Sequence, residues 1–429
     1  MTKHSFDSTE LKYAKQLDET DPLRSFRNEF LFPTDKNGKE LVYLCGNSLG
    51  LQPKEAINHV LKEIEDWKNL GVKGHFNGDT PWTKFHELLA EPMAEIVGAL
   101  PEEVVVMNTL TVNLHLMMVS FYRPTGKRFK VLMEKNAFPS DKYAVASQLR
   151  FHGFDPHEGV IELSPRPGEY FVRHEDILSS IEENGDDIAL ILIGNPNYYS
   201  GQTFKMKEIA KKGHSKGCKV GFDCAHGAGN IPLELHDSGV DFAVWCTYKY
   251  LNSGPGSISG AFVHQRHITD NTLPKFTGWW GYKKETRFLM EDEFDPIPTV
   301  ESWQLSNAPI LSMAPIIASC NLFVKAGIQN LRSKSIKLTG YLEFLLSQLN
   351  EPRINIITPV DPSQRGCQLS IQVKEGNKSI FNNLSANGVI VDWREPDVIR
   401  VAPAPIYNSF EDVHRFTQIL EHCLKADIN

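Results

Sequence analysis

Apolar residues in the middle of the chain come in short unbroken runs, at 104–107, 129–133, 188–193, 219–222, 241–246 and 261–263. None shows the polar/apolar alternation of a strand with one wet face, so these runs read as strands covered on both faces. Helical spacing of apolar residues over 111–122 and 206–216 separates several of them. The pattern predicts an α/β fold with a mostly parallel central sheet between helices. Upstream, Ile57, Val60, Leu61, Ile64 and Trp67 keep helical spacing between Pro53, suited to a first helical position, and the stop signal Gly71. Phe85, Leu88 and Leu89 belong to another helical stretch that Pro92 breaks or kinks. After about Asn307 the pattern changes to a long helical region (310–349), the strand-like INIITPV and CQLSIQV, and a last helix from near Phe410. The expected organisation is an N-terminal arm (1–50), a large α/β domain (51–309) and a smaller α+β C-terminal domain (310–429).

Length and charge then narrow the class. At 429 residues the chain can bury about 75% of its unfolded surface without a disulfide staple. A net charge of −8 argues against a nucleic-acid binder. No stretch approaches the 18 or so apolar residues of a membrane span, and the polar, acidic start lacks a signal-peptide core. The 7 cysteines contain no C-x-x-C pair. Free thiols in a reducing compartment fit them better than a disulfide or zinc framework, so a cytoplasmic protein without a metal site is expected.

Candidate chemistry concentrates in 219–260. Asp223 closes one apolar run, and Tyr248 and Lys249 close the next, 249 − 223 = 26 residues later, ahead of a Gly/Pro turn. Ends of strands next to loops are where open α/β sheets place ligands. Pyridoxal phosphate needs such a pair: a lysine amine for the Schiff base, and a carboxylate that keeps the pyridine nitrogen protonated so that the ring accepts electrons. The start of the helix after MNTLT, with backbone N–H groups and a Thr hydroxyl, is a natural phosphate receptor. GPGSISG lacks G-x-G-x-x-G spacing and opens no helix, which speaks against a nicotinamide site.

The strings YLCGNSLGLQPK, MNTLTVNLHLMMVSFY, AFPSDKYA, GFDCAHGAGN, WCTYKYLNSGPG, GWWG, LSNAPI and IRVAPAPIYNSF carry a resemblance from about Leu41 to the last helix. The chain resembles the kynureninase family, pyridoxal-phosphate enzymes of fold type I in the class V aminotransferase-like superfamily. The resemblance implies Lys249 as the Schiff-base lysine, Asp223 at the pyridinium nitrogen and His226 nearby. It implies Leu110 and Thr111 at the phosphate, Tyr248 beside the phosphate as a candidate acid, and Phe138 stacked on the ring with Asp141 next to it. Trp279 (Trp280 with a one-residue shift) and Asn307 are implied to reach the cofactor across a homodimer interface. Arg400 matches the clamp on the substrate α-carboxylate, and Ser48 a substrate-binding position. His75 with Ser306 and Asn307 matches the pattern associated with preference for 3-hydroxykynurenine. The implied reaction is hydrolytic cleavage between Cβ and Cγ of L-kynurenine or 3-hydroxy-L-kynurenine, giving L-alanine and an anthranilate, in tryptophan degradation and NAD biosynthesis.

Two rivals accompany that reading. One, within the superfamily, is a cysteine desulfurase or aminotransferase; a desulfurase requires a nucleophilic thiol on a mobile loop, for which Cys367 is the late-chain candidate. A non-catalytic scaffold of the same fold is expected to lack Lys249, Asp223 or Arg400, and this chain has all three.

Overall fold

The computed structural model describes residues 6–270, 272–374 and 378–426. Its central sheet contains β1 (Val104–Val106), β2 (Lys130–Glu134), β3 (Val160–Leu163), β4 (Ile188–Gly194), β5 (Lys219–Asp223), β6 (Phe242–Trp245) and β7 (Gly260–Val263). Their spatial order is β1-β7-β6-β5-β4-β2-β3. The four pairs from β6 to β3 are parallel, while β7 runs antiparallel to both of its neighbours. Each apolar run expected from the sequence lies in this sheet. The edge strand β3 escaped because it is short and carries an exposed Glu162.

Alternation is present in space, although the sequence shows none. Val104, Leu132, Ile191, Val220, Ala243 and Phe262 point into one apolar cluster, and Val105, Val131, Leu190, Phe242 and Ala261 point into another on the opposite face. Successive side chains on a strand face opposite ways, so a sheet covered by helices on both faces needs apolar residues at every position. Burying each of the Val, Leu, Ile and Phe side chains among them stabilises the fold by about 1.5–3 kcal/mol. The sheet closes tightly at its centre. Gly221 of β5 lies opposite Phe242 of β6, and a Cβ on Gly221 would come 2.1 Å from that ring.

Helix boundaries depart from expectation in informative places. The helix expected from Pro53 starts at Ala56 (Ala56–Leu70), and Pro53 pairs instead with Phe30 in a two-residue ladder. That helix is amphipathic in the unexpected sense. Ile57, Leu61, Ile64 and Trp67 are exposed, whereas Glu63 is buried and accepts hydrogen bonds from Trp82 Nε1 and Thr80 Oγ1. Pro92 lies in the first turn of Ala90–Val97, where its missing N–H costs nothing, and the preceding Trp82–Leu89 turns are 3-10. The region from 310 is two helices, Ile310–Ala326 and Ile328–Gln348, bent by 79° at Gly327, whose φ of +73° suits glycine. The first helix packs on Ala56–Leu70, while the second joins a separate cluster with Leu369, Ile371, Val413 and Phe416. Among the described residues no single helix is long and apolar enough to cross a membrane.

A second sheet, Ile354–Ile356, Leu369–Val373, Val398–Val401 and Asp392–Arg394, is antiparallel throughout. The N-terminal segment docks on this part of the chain. Val42–Tyr43 pairs in parallel with Val389–Ile390, and Ala402 N–H donates to Leu44 O. Residues 46–50 are thereby led from the second sheet toward the end of β6. Replacing Gly221→Ala forces Phe242 against the next strand and is expected to lower unfolding free energy by about 1–3 kcal/mol, read from urea denaturation. A midpoint equal to that of the parent protein would show that the ring has room to move.

Candidate active site

The ends of β1, β5 and β6 converge on a cavity of about 280 Å³ that opens between the two sheets. Asp223 is the last residue of β5, held by Asn195 N–H on its carbonyl and Ala225 N–H on Oδ1 at 2.7 Å. Lys249 comes four residues after β6 ends at Trp245, inside a turn and not on the strand itself. That turn is tied down at several points: Asn252 N–H bonds Lys249 O, Ser253 N–H bonds Thr247 O, and Gly50 N–H bonds Tyr248 O at 2.8 Å. Gly50 approaches so closely that a Cβ there would lie 2.3 Å from Lys249 O. The arm therefore clamps the lysine turn through a position that only glycine fits.

The helix Leu110–Phe121 starts at the same cavity, and its Thr109 N-cap offers no side-chain bond to the first N–H groups. Leu110 and Thr111 line the cavity, and Thr111 Oγ1 meets Ser140 Oγ at 3.0 Å. Asn113 Nδ2 bonds Met107 O at 2.8 Å, and Asn108 Nδ2 bonds Asn113 Oδ1, which fixes the turn feeding this helix. Free N–H groups at a helix start favour an anion. Phe138 caps the next helix, Pro139–Phe151; its ring centre is 5.9 Å from Lys249 Nζ. Asp141, His226, Tyr248 and Ser48 complete this group of sequence-expected residues around the cavity.

Burial governs the titration of the site. It raises Asp141 well above the usual carboxyl range, reinforced by the charge of Asp223 and a hydrogen bond to it. Burial raises Asp223 too, but Lys249 and the Ala225 N–H oppose the rise. Two hydrogen-bonded carboxyls cannot both ionise in a dry site, so Asp141 carries the proton and Asp223 the charge. Glu134, which accepts from Gly194 N–H at 3.0 Å, is pushed up to about 7 by burial. His226 is pushed well down by burial and by Lys249, so it stays neutral. Burial, with Cys246 next, raises Tyr248, which keeps its phenol proton.

The second sheet contributes cations. Arg400, fully buried, donates from Nη2 to Asp392 at 2.7 Å and from Nη1 to Tyr198 O at 2.8 Å. Arg394 Nη1 binds the other oxygen of Asp392 at 3.0 Å. Arg394, Tyr198, Asn47, Glu134 and Ser140 line the cavity without having been singled out from the sequence. Asn47 and Ser140 do lie inside recognised strings, in GNSLG and FPSD. Arg394 left one signal, its spacing of six from Arg400, which carries no meaning until the hairpin between them is known.

Four expected residues stay outside the cavity of their own chain. Ser306 and Asn307 are exposed. His75 meets Trp82 edge-on at 5.3 Å, and Trp279 donates from Nε1 to Arg287 O. Trp280 is buried and lines no part of the cavity either. Cys367 is buried beside Tyr250, and its thiol is pushed up to about 12, so it is not a nucleophile.

The donor set fits pyridoxal phosphate. A lysine amine, a buried ionised carboxylate, a stacking ring and an uncapped helix start with two hydroxyls surround one cavity. Buried atoms lacking partners, Asn47 Oδ1, Asp141 Oδ1 and the Nε atoms of Arg394 and Arg400, belong to residues lining that cavity. Unpaired polar atoms of this kind are costly unless a ligand satisfies them.

Comparison with known proteins agrees. The fold is shared with a cysteine desulfurase from Escherichia coli (TM-score 0.75, 15% identity, covering 94% of this chain and 98% of that one). It is shared as well with one from Thermococcus onnurineus (TM-score 0.73, 15% identity, 96% and 98%). Residues 331–420 match the family model described as the kynureninase C-terminal domain. Kynureninase of Myxococcus xanthus is 56% identical over 98% of each chain. Kynureninase of Nematostella vectensis is 48% identical over 99% of this chain and 96% of its own. With identity that high over almost the whole length of both chains, the chain belongs to the kynureninase family.

Proposed function

We propose that the protein is a pyridoxal-phosphate-dependent hydrolase that cleaves the Cβ–Cγ bond of L-kynurenine or its 3-hydroxy derivative, giving L-alanine and an anthranilate. The observation that carries this is a single cavity shared by the Lys249 amine, the buried Asp223 carboxylate and the Arg400 guanidinium. Bound pyridoxal phosphate supplies an aldehyde for the substrate amine and an electron sink for its α-carbon. Lys249 is suited to take the α-proton and return it, because its turn is clamped by the arm. Asp223, kept ionised by its neighbours, holds a proton on the ring nitrogen, and Asp141 donates to Asp223 from the side. The helix start at Leu110 and Thr111, with Ser140, holds the phosphate. Arg400 grips the substrate carboxylate, and Asp392 orients it. Tyr248, whose proton burial retains, is the acid for the carbons of the breaking bond, while water attacks the γ-carbonyl.

A homodimer with shared sites is part of the proposal. Val72, Phe76, Phe288 and Trp279 are exposed, and Phe76 and Trp279 both contact Phe288. Together with the outward stripe of Ala56–Leu70 they supply apolar surface that a second copy would cover. His75 and Trp279 belong to this surface, which supports their reaching the partner's cavity along with Ser306 and Asn307. His75 and Asn307 there offer polar partners to a ring hydroxyl, favouring 3-hydroxykynurenine. Seven buried free thiols support a reducing, cytoplasmic setting.

Lys249→Ala is expected to abolish turnover while the chain still folds; activity near that of the parent enzyme would end the proposal. Mixing Lys249→Ala and Asn307→Ala chains in equal amounts, assayed with 3-hydroxykynurenine on which both variants are impaired, is expected to restore about a quarter of parental kcat/KM, since half the dimers are mixed and each keeps one intact site. No recovery after subunit exchange would place Asn307 outside a shared site. Replacing His75 or Asn307 is expected to lower kcat/KM for 3-hydroxykynurenine by at least about tenfold while sparing kynurenine. Equal losses for both substrates would remove these residues from ring recognition.

A further inference from the structure

We infer a zinc site formed by Glu103, His236 and His264, at the end of the central sheet opposite the catalytic cavity. Glu103 immediately precedes β1, His264 immediately follows the oppositely directed β7, and His236 lies on the short helix Leu235–Ser238 ahead of β6. Asp223 and Lys249, by contrast, lie where β5 and β6 finish. The topology thus gathers three side chains from distant parts of the chain at the sheet end that the proposed reaction does not use.

The geometry is that of a ligand set. Glu103 is fully buried, and its carboxylate is fixed by Leu100 N–H at 3.0 Å and Gln265 N–H at 2.8 Å. His236 Nδ1 lies 3.0 Å from both carboxylate oxygens, and His264 Nδ1 lies 3.8 Å from Oε1. The two rings are stacked with centres 5.1 Å apart, and one ligand atom from each of the three residues falls within 4.8 Å of the others. Tetrahedral zinc with bonds of about 2.0–2.1 Å separates its ligand atoms by roughly 3.3 Å, between the two N···O distances found here.

Hydrogen bonding holds the second imidazole only weakly. His264 Nδ1 caps the short helix Gln265–Ile268 by accepting a long 3.3 Å bond from Arg266 N–H, so it carries no proton for the Glu103 oxygen 3.8 Å away. A cation between the two unprotonated atoms replaces that long bond with a ligand bond. Binding moves the His236 proton from Nδ1 to Nε2 and takes the His264 lone pair from its long bond. The Arg266 guanidinium is turned away, onto Asp241 and Gly239 O, each at 2.8 Å. His236 and His264 side chains are 30% and 14% exposed, which leaves a path for the ion and a fourth position for water. Two imidazoles and a carboxylate with one open position are a donor set that zinc accepts. The cluster of His86, Glu87 and Glu301 differs, because the Lys284 ammonium already bridges its carboxylates at 2.9–3.0 Å.

The test is calorimetric titration of chelator-treated holoenzyme with Zn2+, with bound metal counted by elemental analysis. One saturable ion per chain is expected, together with a rise in thermal midpoint on adding Zn2+. His264→Gln, which removes one imidazole ligand, is expected to weaken binding at least about tenfold. His236→Gln/His264→Gln is expected to abolish both the binding and the thermal shift, with turnover unchanged. Uptake by the double variant equal to that of the parent protein, or no saturable uptake by the parent, overturns the assignment. If the double variant does not fold, the single variant decides: unaltered affinity in His264→Gln also overturns it.

Discussion

Three buried carboxyl groups and one amine line a single cavity, and the site depends on how their charge is settled. Asp223, Asp141 and Glu134 cannot all ionise there, because like charges in a low-dielectric space repel strongly and lack hydration. Hydrogen bonding divides the labour: Asp141 keeps its proton and donates it to Asp223, while burial lifts Glu134 to about 7 against the opposing pull of the Gly194 N–H. Asp223 is the carboxylate whose charge Lys249 supports. On the other wall, Arg394 and Arg400 share the single carboxylate of Asp392, which leaves one positive charge without a partner. A chain of net charge −8 thus builds a cavity suited to anions, and the global charge says nothing about it.

This balance holds only if the strand ends stay in register, which explains where the scaffold is least tolerant. Gly221 lets β5 and β6 approach under the Phe242 ring, and Gly50 lets the arm reach the turn that holds Lys249. Both glycines answer a close approach of neighbouring atoms and not a turn.

How much of this the sequence reveals depends on whether a residue's partners are near in sequence. The strands were legible because a sheet covered on both faces demands unbroken apolar runs. Asp223 and Lys249 were legible because each sits where such a run ends. Arg394 and Asp392 were not, because their meaning comes from a hairpin that brings them beside Arg400, which donates to Tyr198 O about 200 residues away in the chain. The Ala56–Leu70 helix shows the limit of periodicity most clearly. Its apolar stripe marks a face that avoids water, but spacing cannot say whether the cover comes from its own chain. Here Glu63 faces inward to Trp82 and the stripe faces out.

The shared fold then separates architecture from chemistry. Cysteine desulfurases arrange the same layers, yet the thiol that would serve such a reaction is here sealed beside Tyr250 and held protonated by burial. A buried thiol packs as a small apolar group, and here burial outweighs the opposing pull of Tyr250 and Arg332. What the cavity offers instead is a phenol that keeps its proton and an amine on a clamped turn. In the proposed reaction this acid and base would direct bond cleavage through proton movement, not through attack by sulfur. The chemistry therefore follows from which side chains the strand ends present and how deeply each is buried, with the sheet supplying only their positions.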